Sequence, residues 1–116
     1  MLIKRKMISL KKQALNYFET FSSKDLNKLK LFFNDFIELR DWEIQAKGID
    51  KVIEANRKIF ESVDSIKVNP VELNELNNKI FAELSIIINQ SETIKVLDII
   101  EFDDNNKISS IKAFKG

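Results

Sequence analysis

The first half of the chain repeats its apolar residues at helical spacing. From residue 10 they follow the i, i+4, i+7, i+8, i+11 spacing of one helical face: Leu10, Ala14, Tyr17, Phe18 and Phe21. Cap-type residues at 22–25 separate this helix from a second, short one that is predicted over 26–33. A third helix is predicted from about Ile49 to Val63, after Gly48. Its apolar side includes Phe60 and one polar residue, Asn56.

The second half alternates in the manner of β-strands. Four strands are predicted, at 66–76, 79–89, 92–103 and 107–115, and Asn-rich segments of hairpin length separate them. This pattern indicates an antiparallel meander. Pro70 cannot donate a hydrogen bond to a neighbouring strand, so we expect an edge strand or a bulge there. The apolar residues of the last strand are out of phase, which predicts a second bulge.

Two carboxylates occupy inward positions of predicted strands. Asp98 shares its face with four apolar residues, Ile94, Val96, Ile100 and Phe102. In the short strand at 37–42, Asp41 shares its face with Ile37 and Leu39. Acids are rarely buried without a partner, and an apolar site raises their pKa. The pattern therefore predicts a small apolar cavity that contains acids and is suited to proton chemistry or to binding a polar ligand.

The strand at 79–89 is apolar at its even positions and mixed at its odd ones. Because three short helices cover only one face of a sheet, we expect the other face to be buried in a homodimer. The predicted dimer face carries Leu84, Ile86, Leu97 and Ile99. On this interpretation the odd positions Phe81, Glu83 and Ser85 face the cavity.

Composition limits the available chemistry. The 116 residues suit one domain, and the absence of cysteine and histidine excludes disulfides, thiol nucleophiles, imidazole bases and the usual zinc sites. We expect no metal and no cofactor. The net charge of +1 favours neither a nucleic-acid nor a membrane partner, and no apolar run is long enough to span a bilayer, so we expect a cytoplasmic protein. The basic residues 4–6 predict a solvated, flexible extension at 1–9.

The order of elements resembles the SnoaL-like and ketosteroid-isomerase-like families of the nuclear transport factor superfamily. The resemblance covers residues 10–116 and includes Tyr-Phe-Glu-Thr-Phe-Ser-Ser-Lys-Asp-Leu from Tyr17, Arg40-Asp41-Trp42, Gly48 before the third helix, and the closing hairpin. It implies an α+β fold, in which a cone-shaped curved antiparallel sheet wraps around three N-terminal helices and leaves an internal pocket.

The resemblance also implies catalytic roles for three residues. Ketosteroid isomerase has a tyrosine on its first helix, a general-base Asp at the end of its first strand, and a protonated Asp on its penultimate strand, which match Tyr17, Asp41 and Asp98. By analogy Asp41 would move a proton between carbons while Tyr17 and Asp98 hold the enolate oxygen. Trp42 replaces the proline that follows the family's base. The ligand contacts expected around these three residues are Trp42, Asn56, Phe60, Phe81, Glu83 and Ser85.

Three functions remain open from the sequence. The first is an isomerase, hydratase or cyclase that acts on a small carbonyl compound by acid–base chemistry. The second is a non-catalytic ligand-binding or dimeric interaction module, in which Asp41, Glu83, Asp98 and Tyr17 form a buried hydrogen-bonded network. The third is epoxide hydrolysis, which needs an Asp-Arg-Asp set. It is disfavoured because Arg40 and Asp41 point to opposite faces of their strand.

Overall fold

A computed structural model describes residues 9–116, which form three helices and six strands. The helices are α1 (Leu10–Ser22), α2 (Leu26–Lys30) and α3 (Ile49–Glu61). The strands are β1 (Phe33–Arg40), β2 (Gln45–Lys47), β3 (Ile66–Leu76), β4 (Lys79–Ile88), β5 (Glu92–Phe102) and β6 (Ile108–Lys115). Residues 1–8 of the predicted basic extension lie outside the described residues, whereas Ser9 caps α1 by accepting a hydrogen bond from the Lys12 amide at 3.2 Å.

The six strands form one sheet in the order β2-β1-β6-β5-β4-β3. β3 to β6 are the predicted antiparallel meander. β1 pairs in parallel with β6, so the sheet is mixed rather than fully antiparallel. The short strand β2, which the sequence did not predict, lies antiparallel to β1 at the sheet edge.

Both predicted irregularities of the meander are present. β3 is an edge strand, and its register with β4 shifts between Pro70 and Glu72. The register of β5 with β6 shifts between Glu101 and Phe102, opposite Ile108. Because bulges bend the strand that carries them, these two shifts help to curve the sheet around the helices.

The boundary between α2 and β1 differs from the prediction. α2 ends at Lys30, and β1 already begins at Phe33, which pairs with Ile108. The apolar residues at 26, 29, 32 and 33 fit a helical face, but aromatic residues also favour strands, and here the pairing with β6 decides the structure. Among residues 9–116, no helix is both long and apolar enough to cross a membrane.

The prediction of which β4 face looks inward was wrong. Ala82 lies directly opposite Asp98, and Leu84 lies opposite Val96, so the even positions of β4 share the helix-covered face with Asp98. Leu84 is only 1% exposed. The odd positions, Phe81, Glu83 and Ser85, are therefore on the outer face. The proposed dimer face must be corrected in the same way, because Leu84 and Ile86 point inward while Leu97 and Ile99 point outward.

The core lies between the inner face of the sheet and the helices. α1 buries Ala14, Tyr17 and Phe18 at i, i+3, i+4 spacing, α3 buries one residue per turn, and the short α2 buries Leu29. The largest fully buried side chains come mainly from the sheet: Leu29, Ile37, Val52, Ile80, Leu84, Ile100, Phe102 and Ile108. The apolar packing leaves a cavity between the helices and the inner face of the sheet, and the candidate site lies there.

Candidate active site

A cavity of about 280 Å³ lies between the helices and the inner face of the sheet. Its apolar wall comes from α1, α3 and five of the strands or their ends: Phe18, Phe21, Leu39, Ile44, Ile59, Val63, Ile66, Val68, Leu84, Ile86, Ile88, Ile94, Val96, Ile111 and Ala113. Because a cavity of about 150 Å³ already holds a benzene-sized molecule, this one suits a ligand of roughly a dozen non-hydrogen atoms. Few polar side chains line the cavity.

Asp98 is the most deeply placed acid of the cavity. Its cross-strand neighbours on β4 and β6 are Ala82 and Ala113, whose small side chains leave room for the carboxyl group. The residue is 8% exposed, and burial first and the charge of Asp41 second raise its pKa from 3.8 to about 7. Near neutral pH the Asp98 carboxyl is therefore protonated in a large fraction of molecules and can donate a hydrogen bond.

Tyr17 places its hydroxyl in the same cavity. Its ring packs among four phenylalanines, with centroid distances of 5.5 to 6.3 Å to Phe18, Phe21, Phe32 and Phe33. Burial, and then the charge of Asp98, raises the pKa of Tyr17 above its ordinary value. The hydroxyl therefore stays protonated. Fully buried side-chain nitrogens and oxygens of residues 9–116 all have hydrogen-bond partners. The oxygens of Tyr17 and Asp98, which bond to none of those residues, instead open onto the cavity.

Asp41 follows the end of β1 and shapes the mouth of the cavity. Its Oδ1 accepts hydrogen bonds from the backbone amides of Glu43 at 2.7 Å and Ile44 at 2.6 Å, and its own amide donates to the Ile44 carbonyl at 2.9 Å. These bonds form a side-chain turn that fixes the carboxylate against the cavity. Oδ2 takes no part in the turn and is the oxygen that can accept a proton.

Two further predicted residues line the cavity. Asn56 on α3 donates from Nδ2 to the Val52 carbonyl at 2.9 Å, which leaves its side-chain carbonyl for a ligand. Trp42 stands at the mouth and is 43% exposed. The Nζ of Lys115 lies 5.8 Å from the centre of the Trp42 ring, a cation–π contact that holds the indole at this position.

Four of the predicted ligand contacts do not reach the cavity. Phe81, Glu83 and Ser85 are on the outer sheet face because of the β4 register. Phe60 is buried behind the cavity wall, where its ring packs edge-on against Phe21 at 4.9 Å. Without Glu83, the four-membered network expected for a structural role cannot form.

The third acid of the cavity is Glu43, which the sequence interpretation missed. Continuing the alternation of β1 past its end, through Leu39 and Asp41, would have placed Glu43 on the same side. Arg40 is exposed and does not line the cavity, so the Asp-Arg-Asp set required for epoxide hydrolysis is not assembled. The charged side chains that residues 9–116 contribute to the lining are Asp41, Glu43 and Asp98, all acidic. No group of three potential metal-ligating residues occurs in this part of the chain.

Comparison with solved structures identifies the fold. An NTF2-like protein of unknown function from Cytophaga hutchinsonii superposes with a TM-score of 0.79 at 14% identity, over 94% of this chain and 91% of that one. A proposed ketosteroid isomerase from Kribbella flavida gives 0.81 at 12% identity, over 92% and 77%. A proposed polyketide cyclase from Sinorhizobium meliloti gives 0.80 at 12% identity, over 94% and 97%. No protein-family model matches the sequence, and no curated protein is similar to it in sequence.

The chain therefore has the NTF2-like fold, a curved sheet closed by helices into a cone, as its resemblance to the SnoaL-like and ketosteroid-isomerase-like families implied. At 10% to 15% identity the likeness shows the fold alone. One fold hosts many unrelated activities, so a function must be argued from the side chains in the cavity.

Proposed function

We propose that the cavity is an acid–base site that moves a proton between carbons of a small carbonyl compound. The observation that carries this proposal is the pair of buried donors, Tyr17 and Asp98, which open onto an apolar cavity and have no hydrogen-bond partner among residues 9–116. A ligand oxygen placed between them can accept one hydrogen bond from each, because neither donor is bonded to another residue of 9–116. Such donors, fixed before the ligand arrives and shielded from water, stabilise developing negative charge on oxygen.

Asp41 is the proposed base. Its Oδ2 takes a proton from the carbon next to the carbonyl, and the electrons of that C–H bond move onto the carbonyl oxygen to give an enolate. Tyr17 and Asp98 hold this oxygen. When the substrate is a β,γ-unsaturated carbonyl compound, the enolate is a conjugated dienolate, and return of a proton from Asp41 to the γ-carbon completes an isomerisation with no co-reactant. The turn through Glu43 and Ile44 keeps Asp41 in one position during both transfers.

The size of the cavity limits the substrate. A volume of about 280 Å³ is at the lower limit for ligand sites, which commonly measure roughly 300–1,000 Å³. Trp42 further narrows the mouth. These features favour a monocyclic or open-chain substrate over a steroid.

The test is proton exchange catalysed by the protein in deuterated water, followed by ¹H NMR on a panel of small enolisable ketones. We expect the parent protein to accelerate α-proton exchange and Asp41→Asn to abolish the acceleration, because the amide cannot accept the proton yet can preserve the turn through its side-chain oxygen. Asp35→Asn, which changes an exposed acid of β1, is the matched control and keeps full activity.

The second candidate is a ligand-binding protein without chemistry. It is favoured by one observation, the use of Asp41 Oδ1 in the turn, because this gives the residue a structural task whether or not it transfers protons. A ketone that binds the parent protein but exchanges its α-protons no faster than in buffer would support binding over catalysis.

We also propose that the protein forms a homodimer through the outer face of the sheet. Two cross-strand pairs, Phe81–Ile99 and Leu97–Phe114, form an apolar strip there, and Leu97 and Phe114 are 39% and 53% exposed. Glutamates and lysines flank the strip: Glu83, Glu101, Lys95 and Lys112. A strip bordered by both signs of charge is self-complementary under a two-fold axis, which favours a second copy of the chain as the partner.

A further inference from the structure

The polar lining of the cavity favours a positive ligand. Its charged members among residues 9–116 are Asp41, Glu43 and Asp98, and no lysine or arginine of that range lines it. Aromatic rings also line it, including Tyr17 and Trp42. Acids beside aromatic faces are the groups that bind organic cations in proteins.

The unpartnered state of Asp98 is an independent observation. This carboxyl is buried to more than nine-tenths, faces the cavity between Ala82 and Ala113, and forms no hydrogen bond with residues 9–116. An isolated carboxylate in such a place is costly unless it is paired or protonated. The side-chain carbonyl of Asn56 adds another acceptor without a bonded partner in the described part of the chain.

We propose that the cavity also binds a small organic ammonium ion, an alkylamine or arylalkylamine, with Asp98 and Asp41 as its counter-ions. This is a second ligand class, distinct from the carbonyl compounds of the proposed reaction, and it does not require the protein to catalyse proton transfer. The ammonium donates hydrogen bonds to the carboxylates and to the Asn56 carbonyl. Its hydrocarbon part fills the apolar wall. The same acids repel a carboxylate or phosphate ligand, to which residues 9–116 offer no cation in the lining.

Ammonium binding competes with a proton. The polar and titratable groups that line the cavity together with Asp98 are Tyr17 from α1, Asp41 and Glu43 from the loop after β1, and the neutral Asn56 and Ser62 from α3 and its C-cap. The nearby cation Lys115, on β6, stands over Trp42 at the mouth rather than in the lining. Because burial and the charge of Asp41 raise the pKa of Asp98 to about 7, an ammonium ion must displace the Asp98 proton at lower pH. Amine affinity therefore rises with pH through about 7, whereas a carbonyl ligand, which needs the protonated acid, loses affinity over the same range.

Three ligands of nearly one shape test the proposal: benzylamine, benzyl alcohol and benzoate. Trp42 is the only tryptophan of the chain, so its fluorescence reports occupancy at the cavity mouth, and calorimetry gives the affinity. At about pH 8.5 we expect benzylamine to bind about tenfold more tightly than benzyl alcohol, as a charge-assisted hydrogen bond allows, and benzoate not to bind. Asp98→Asn removes this preference, and the exposed Asp35→Asn does not.

The pH series on the parent protein needs no variant and is decisive by itself. Benzylamine affinity that increases between about pH 6 and pH 8.5, with release of a proton on binding, supports the proposal. Benzylamine that binds no better than benzyl alcohol at the higher pH, or a preference that survives in Asp98→Asn, overturns it. Acetophenone in the same assay separates the two proposals, because failure of the amine leaves carbonyl binding untouched, and failure of α-proton exchange leaves amine binding untouched.

Discussion

Replacing Asp98 by asparagine should stabilise the protein, increasingly so as the pH rises. The asparagine keeps the shape of the side chain but cannot ionise, so it removes the cost of a buried charge. Below pH 3.8 Asp98 is protonated in both the folded and the unfolded chain, and it contributes no pH dependence. Between 3.8 and about 7 the unfolded chain releases the proton and the folded chain keeps it, so the free energy of unfolding falls by about 1.4 kcal/mol per pH unit.

The magnitude follows from the two pKa values. They differ by about 3 pH units, from 3.8 to about 7, which corresponds to a penalty of about 4 kcal/mol once Asp98 is ionised in the folded state. At about pH 4.5 the penalty is only about 1 kcal/mol. The advantage of Asp98→Asn over the parent protein should therefore grow by about 3 kcal/mol between about pH 4.5 and pH 8.

Urea unfolding of the two proteins at these pH values, at one fixed protein concentration, measures this difference. Taking the difference between two proteins cancels the other titrating groups, which they share. Asp35→Asn, an exposed acid on the same sheet, should run parallel to the parent. If Asp98→Asn also runs parallel to the parent across the range, Asp98 is not a buried acid with a raised pKa, and its role as a neutral donor fails with it.

Substitutions at Asp41, at Tyr17 and on the two faces of the sheet test separate parts of the structure. Asp41→Ala should cost about 1–2 kcal/mol in urea unfolding, because two backbone amides lose their acceptor, while Asp41→Asn should cost much less; equal losses would contradict the turn. Tyr17→Phe should leave the thermal melting temperature nearly unchanged, because the hydroxyl forms no hydrogen bond with residues 9–116. The same substitution should weaken ketone binding, measured by calorimetry, by about tenfold. A clear loss of stability would show that the hydroxyl is structural. Phe114→Asp should convert the proposed dimer into a folded monomer, as measured by sedimentation equilibrium. Leu84→Asp should instead unfold the chain, because Leu84 is 1% exposed. A parent protein that is already monomeric at micromolar concentration would refute the dimer.

The sequence predicted the elements better than their faces. Periodicity located the three helices, the four strands of the meander and the bulge in the last strand, because each depends on local spacing, and the missing amide hydrogen of Pro70 indicated the edge strand with its bulge. The inward face of β4 was not predictable from alternation, since both of its faces are apolar or mixed. The inward face of β4 depends on the pairing of Ala82 with Asp98 across the β4–β5 hairpin. The signal for that pairing was the presence of two small residues, Ala82 and Ala113, that could flank one buried acid.

The residues of the candidate site were likewise predicted only in part. Tyr17, Asp41 and Asp98 were predicted, and all three line the cavity, because a polar residue on an apolar stripe is visible in the sequence. Glu83 and Phe81 were misplaced along with the face of β4. Glu43 was missed because the alternation of β1 was not continued past the end of the strand, into the turn that the Asp41 side chain makes with the backbone.

The turn at Asp41 has an evolutionary consequence. A carboxylate that organises its own loop is retained by selection for folding even in a lineage that abandons the reaction, since its loss reshapes the entrance to the cavity. The proposed base, Asp41, can therefore persist through long periods as a purely structural residue. Under the proposed function, replacing Tyr17 or Asp98 alone would leave a binding cavity without catalysis, and restoring that one residue would bring the catalysis back.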